Sequence, residues 1–387
     1  MLLSAPAKAE IDVTLGYLRQ DERRLPPLSL LDQRHEDEGL AGARLGVADN
    51  ATTGKFLKHN YALIETIVPE DGDLDAAARG LLDDGARFIL ADLHAAQLEA
   101  IRPLVEEAGG LIFNARAPDN ALRTDACHAA VFHIALSRAQ KADALAQYLM
   151  WKKWDRWFLL HGTTEADLAM KAAFEAAAAR YNATIVDTRA YEYEETARRV
   201  ESGHTLVQRQ MPVFTQNAPE HHVVVVADEA DVFGEFLPYR TWDPRPVAGT
   251  QGLMPLNWHR STEQWGGTQL QSRFEESAGR IMLERDYNAW LAARIVGEAV
   301  TRTNSGEPQA IHDYLVGGDF EVAAFKGRPV TFRHWNQQLR QPVLLSSARM
   351  LVSVSPQEGF LHQRSELDTL GFDAPETTCT LNEEPTP

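Results

Sequence analysis

Twice along its length this chain runs through the same alternation: a short apolar segment, a polar turn, then a stretch of helical period. In the first half the apolar segments are residues 11–18, 61–68, 87–92 and 111–113, separated by helical patterns at 40–47, 74–83 and 97–108. After a helix at 139–150 the pattern restarts, with strands at 156–160, 184–191, 222–228 and 246–249 and helices at 165–180, 196–211 and 232–239. Short apolar runs alternating with amphipathic helices specify parallel strands covered on both faces and joined by right-handed crossovers. The expected fold class is α/β: two similar lobes, each a parallel sheet flanked by helices, with a ligand cleft between them. At 387 residues the chain is too long for one ordinary core. Helices at 274–284 and 286–302, short strands at 320–325 and 329–333 and a strand at 343–354 follow, and residues 355–387 are Pro- and acid-rich without period. The charged segment 19–38, with Pro26-Pro27, reads as a loop, and the polar run 49–54 as a turn.

In open parallel sheets, ligands sit beyond the carboxyl ends of the strands. That rule nominates Arg19; Asp92 and His94; Asn114, Ala115 and Arg116; Gly162, Thr163 and Thr164; Asp228 and Glu229; and Thr250, Gln251 and Gly252. One stretch, 111–141, concentrates positive charge: Arg116, Arg123, Arg138 and Lys141 against Asp119 and Asp125 give +4 − 2 = +2, in a chain of net charge −17. Ser137 is a good N-cap for the helix that follows. A basic turn in an acidic molecule is a place for a bound anion, and equally for ion pairs with neighbouring carboxylates.

The acidic balance, with pI near 5.2, argues against nucleic acid or an anionic membrane as partner. No apolar run is long enough to cross a bilayer. There is no GxGxxG after a strand, no GxxxxGK[ST], no HExxH and no GxSxG, and the histidines have no metal-ligand spacing. No enzymatic or metal chemistry is therefore assigned. The N-terminus MLLSAPAKAE lacks the basic region of a signal peptide, which leaves a cytosolic protein or a processed one. Cys127 and Cys379 could close a loop of 379 − 127 = 252 residues, for which the chain-entropy model gives roughly 5 kcal/mol, or remain two separate thiols.

The segments GYLRQ (16–20), GLAGARLGVADNATTGKF (39–56), FILADL (88–93) and LIFNARAPDNALR (111–123) together resemble the type I periplasmic binding proteins, a group that includes the branched-chain amino acid receptors of ABC importers. FKGRPVTFRHWNQQLRQPVLL (325–345) is similar to the stretch where that family makes its last crossing between lobes. A narrower resemblance, carried by WKKWDRWFLLHG (151–162), GTQGLMPLNWHR (249–260) and EGFLHQRSELDTLGFDAPETTC (358–379), is to substrate-binding proteins encoded beside quinoprotein alcohol dehydrogenases.

The resemblance implies an exported, periplasmic, monomeric binding protein with its signal peptide removed, without catalysis or a catalytic cofactor. It implies pyrroloquinoline quinone (PQQ) as the bound ligand, and an ABC permease or a quinoprotein dehydrogenase as recipient. Another small carboxylate, or docking to a dehydrogenase with no ligand, are the alternatives. It places lobe one at 11–136 and 280–328, lobe two at 137–279 and 329–354, and a tail at 355–387 packed on lobe one. In an oxidising compartment Cys127 and Cys379 are expected to form a disulfide. Amino acid receptors of the family hold an α-carboxylate with small hydroxyl residues and amides after the fourth strand; Asn114 and Arg116 stand there instead, which disfavours a free amino acid. A flat tricarboxylate needs fork-shaped cations and an aromatic face. The candidates are Arg19, His94, Asn114, Ala115, Arg116, Ser137, Arg138 and Lys141 from the first lobe and the hinge helix. The second lobe would add Thr163, Asp228, Gln251, Gly252, Trp258 and Trp265.

Overall fold

The computed structural model describes residues 10–22, 35–192 and 201–382. The Pro26-Pro27 loop and the beginning of the helix expected at 196 fall outside the described residues, as do the last five residues of the tail.

Strands β1 (Ile11–Gln20), β2 (His59–Val68), β3 (Phe88–Asp92), β4 (Leu111–Asn114) and β5 (Val131–His133) form a five-stranded sheet in the order β2-β1-β3-β4-β5, with every pair parallel. Helices α1 (Leu40–Leu57), α2 (Leu74–Asp83) and α3 (Ala95–Glu107) are its crossovers. The second sheet contains β6 (Arg156–His161), β7 (Thr184–Ala190), β8 (Val223–Ala227) and β9 (Val247–Gly249) in the order β7-β6-β8-β9, again parallel. It is flanked by α4 (Arg138–Trp151), α5 (Glu165–Tyr181), α6 (Glu201–Thr215) and the short α7 (Leu237–Arg240). Every residue of β3, β4 and β8 is buried, as expected for strands covered on both faces. The two-lobed α/β class read from the alternation is the one observed.

Some elements differ from the expectation. Helix α1 continues through the polar run 49–54 because Asp49 and Asn50 face a second helix, α9 (Glu284–Thr303), while Thr52 and Thr53 lie on its exposed side. The Asn50 amide donates to the Ala293 carbonyl at 2.7 Å, and Asp49 accepts from the Trp290 indole at 2.9 Å. Glycines allow the contact: a Cβ on Gly42 would fall 1.8 Å from the Asp286 carbonyl oxygen. The single strand expected at 343–354 is a hairpin, β11 (Val343–Ser347) and β12 (Met350–Ser355), which β10 (Met254–Leu256) completes as an antiparallel ribbon.

The lobe boundaries also shift. Helix α8 (Gly267–Ala278) brings Leu270 and Phe274 into the core built on the first sheet, together with Trp258, Val330, Phe332 and Leu339. Val343 and Leu345 belong to the second core. The crossings therefore lie near 136, 256 and 342, and segments 257–279 and 329–342, expected in lobe two, pack in lobe one. Both carry apolar faces buried in that core, Trp258 against Tyr287 of α9 and Phe332 against Phe132 of β5 and Phe320. At the hinge, the Ile134 carbonyl accepts from the side-chain amides of Gln341 (2.7 Å) and Asn257 (3.4 Å), one from each of the other crossings. The buried Lys326 ammonium joins the same two segments, donating to Asn257, Gln341 (3.0 Å) and the Pro342 carbonyl (3.1 Å).

The tail, expected on lobe one, spans both lobes. Leu370 packs in the second core, and Gly371 donates its amide to Asp143 of α4 at 2.7 Å. Asp368 then bonds Arg333 and Arg340, each at 2.8 Å, and Cys379 is disulfide-bonded to Cys127 in lobe one.

Candidate functional site

The carboxyl ends of β3, β4, β8 and β9 converge on a cleft of about 460 Å³ between the lobes. Lobe one contributes His94, Arg116, Pro118 and Arg285; lobe two contributes Arg138, Lys141, Asp228, Glu229 and Gln251 over an apolar bed that includes Met170 and Met254. Six of the expected residues thus meet here: His94, Arg116, Arg138, Lys141, Asp228 and Gln251.

Arg116 is set by the turn before it. The Asn114 side chain accepts from the backbone amides of Arg116 (3.1 Å) and Ala117 (2.8 Å) and donates to the Ala117 carbonyl (2.9 Å). Asn114 also meets His133 Nδ1 at 3.0 Å. Burial, and after it the Arg123 charge, pushes His133 well below its ordinary value, so its neutral ring can accept that bond. Arg123, read as part of the basic window, is buried and holds the same turn through the carbonyls of Ala117 and Asp119, both at 2.9 Å. Asn114 therefore positions Arg116 and does not face the cleft.

The cleft cations have partners. Arg116 donates to Glu22 at 2.5 Å and lies 4.0 Å from Asp92. Arg285 forks onto Asp92 at 2.7 and 2.8 Å, and Tyr17 donates to the same carboxylate at 2.7 Å. Arg138 bonds Glu229 (2.7 Å) and, across the lobes, Asp119 (2.9 Å). Lys141 reaches Glu284 of lobe one at 3.5 Å. Hydrogen bonding from His94, and then the Arg116 charge, hold Glu22 well below the usual carboxylate range although burial opposes them. Burial, and next the Arg285 charge, lower Arg116. Among the described residues one cleft donor is left over: Arg116 Nη1 is buried and meets no acceptor. Asp228 is pushed up to about 6 by burial, and its carboxylate is occupied by the amides of Val232, Phe233 and Gly234 at 2.7–2.9 Å. It caps that turn.

Several expected residues lie elsewhere. Trp258 is 2% exposed and stacks on Tyr287, with centroids 4.8 Å apart, so it is core. Trp265 is 48% exposed on lobe one, over Gly327 and away from the cleft. Neither offers a stacking face to a cleft ligand, because the segment carrying them belongs to lobe one. Arg19 is buried against Asp21 and the Glu38 carbonyl. Ala115 is buried, with its carbonyl taken by Asn288 at 2.9 Å. Ser137 caps α4, accepting from the Gln140 amide at 3.0 Å. Thr163 is exposed outside the cleft lining, and Gly252 lines a neighbouring groove. Arg285 was not anticipated. Its signal was available: like Arg138, it is a cation in the first turn of a helix, where the helix dipole disfavours positive charge.

A family model described as periplasmic binding protein matches residues 39–349. The chain belongs to the periplasmic binding protein family. Among solved structures, an ABC transporter substrate-binding protein from Sphaerobacter thermophilus superposes with a TM-score of 0.71 at 16% identity, covering 93% of this chain and 100% of that one. A leucine-, isoleucine-, valine-, threonine- and alanine-binding protein from Brucella ovis, in a closed conformation, gives 0.67 at 14% identity over 88% and 90%. A solute-binding protein of an ABC transporter from R. palustris, in complex with benzoate, gives 0.63 at 12% identity over 86% and 92%. A search of curated protein sequences finds no match. Among the described residues no helix is long and apolar enough to cross a membrane.

Proposed function

We propose that this member of the family captures a small solute bearing a carboxylate between its lobes, in the periplasm, and passes it to an ABC permease. The observation that carries the reading is the leftover donor of Arg116: a buried guanidinium N–H, on a residue that lines the cleft, with no acceptor among the described residues. A carboxylate oxygen is the charge-assisted acceptor that such a donor lacks. Closure of the lobes, by relative motion at the three crossings, would exclude water and strengthen the contact.

PQQ, the ligand that the narrower resemblance implies, carries three carboxylates. Arg138, Lys141 and Arg285 already face Glu229, Glu284 and Asp92. The expected tryptophan platforms are absent from the cleft lining. Both facts favour a solute with one carboxylate over PQQ, the class to which the benzoate of the R. palustris complex belongs. Delivery of PQQ to a quinoprotein dehydrogenase is the competing reading.

Calorimetric titration of the purified chain with benzoate, leucine and PQQ tests the reading. A monocarboxylate is expected to bind, and Arg116→Gln to weaken it about 10- to 150-fold, the equivalent of losing one charge-assisted hydrogen bond of roughly 1.5–3 kcal/mol. Equal affinity in Arg116→Gln refutes the site; preferential binding of PQQ refutes the solute class.

A further inference from the structure

Beside the cleft, on lobe two, lies a second and larger groove of about 720 Å³. Its lining is unlike that of the cleft. Tyr148, Trp154, Pro246 and Leu253 line it, together with two side chains that stand out into water: Tyr239, 88% exposed, and Val352, 40% exposed. Exposed aromatic and aliphatic side chains around one concavity are uncommon on a soluble lobe unless something covers them.

The groove adjoins the cleft. Asp231, Gln251 and Met254 line both. The partition is a side-chain hydrogen bond from Gln251 Nε2 to Asp231 Oδ1, 2.9 Å long and exposed to solvent. Such a bond contributes little net stability and can open without leaving a buried group unpaired. The two sides of the partition stand on the turns after β8 and β9 of one sheet, so cleft and groove keep their relation within lobe two when the lobes move.

We propose that cleft and groove form one bipartite site: the carboxylate of the solute sits at Arg116, and its flat, apolar body passes the Gln251–Asp231 partition and lies along the groove between Tyr239 and Val352. The solute class is then an extended arylcarboxylate, longer than benzoate. Rings suit this surface because Tyr and Trp pair with aromatic faces or edges. The inference rests on the carboxylate reading above.

The test compares benzoate with biphenyl-4-carboxylate, by calorimetry on the full chain, in the native protein and in Tyr239→Ser and Val352→Glu. Both variants change exposed side chains outside the cleft lining. The added ring should tighten binding at least tenfold in the native protein, as expected for burial of an aromatic ring. That advantage should fall below threefold in each variant, with benzoate affinity unchanged. Benzoate binding that depends on Arg116 with no gain from the second ring overturns the bipartite site and leaves the carboxylate reading standing. So does a gain that survives both variants. If neither acid binds, both proposals fall together.

Discussion

Asp143 makes a sharp test of how the tail is held. It lies on α4, buried, and its carboxylate accepts from the Gly371 amide at 2.7 Å and from Arg180 at 3.2 Å. Burial outweighs both partners and pushes the group from an ordinary 3.8 up to about 7. Below pH 3.8 the carboxyl is protonated in folded and unfolded chains alike. Between 3.8 and 7 the folded chain keeps a proton that the unfolded chain has lost, so folding stability falls as pH rises through that window and levels off above it. At 1.36 kcal/mol for each pH unit of that interval, the loss is about 4 kcal/mol. Asp143→Asn keeps an oxygen for Gly371 and cannot ionise. Urea unfolding followed by tryptophan fluorescence, run on both proteins from pH 4 to pH 8, should show the variant gaining about 4 kcal/mol relative to the native chain across the window. Parallel stability profiles for the two proteins would show that Asp143 is an ordinary carboxylate held by Arg180, and would refute the argument from burial.

Asp368→Ala strips Arg333 and Arg340 of a shared, fully buried carboxylate and should lower stability by about 3–5 kcal/mol, read from the urea midpoint. Gly42→Ala places a methyl 1.8 Å from the Asp286 carbonyl oxygen and should force α1 and α9 apart, lowering the melting temperature by an amount corresponding to about 3 kcal/mol. Cys379→Ser opens a bridge of sequence separation 252, and denaturant unfolding should show a loss approaching the chain-entropy ceiling of roughly 5 kcal/mol. Trp258→Phe should cost stability, about 1–3 kcal/mol by loss of packing on Tyr287, while solute affinity measured by calorimetry stays unchanged.

The lobes and their sheets were legible because the apolar period of a doubly covered strand is short and local: β3, β4 and β8 can be read from five or so residues each. What the period could not show is which sheet a later segment joins. Leu270 and Val330 carry apolar faces that suit either lobe, and only packing against α9 and the first sheet decides. Helix α1 was cut short for a related reason. Asn50 is polar, and its partner, the Ala293 carbonyl, lies 243 residues away.

The charges of the site obey the same rule. The basic window around Arg116 gave a positive local sum, but Glu22, Glu229 and Glu284 come from 94, 91 and 143 residues away to meet Arg116, Arg138 and Lys141. A local charge sum therefore says little about the potential in a cleft that distant segments build. Position along an element says more. Arg138 and Arg285 sit in the first turns of α4 and α9, where the helix dipole favours an anion. A cation there loses local stability, and folding recovers it only by bringing a carboxylate from elsewhere. In both cases the cation lines the cleft and the recruited carboxylates, Asp119 and Glu229 for one and Asp92 for the other, hold it there. The locally unfavourable residue thus marks the convergence of segments, and with it the site. Arg116 differs only in keeping one donor in reserve, which is why the carboxylate of a solute is assigned to it and not to the better-paired arginines.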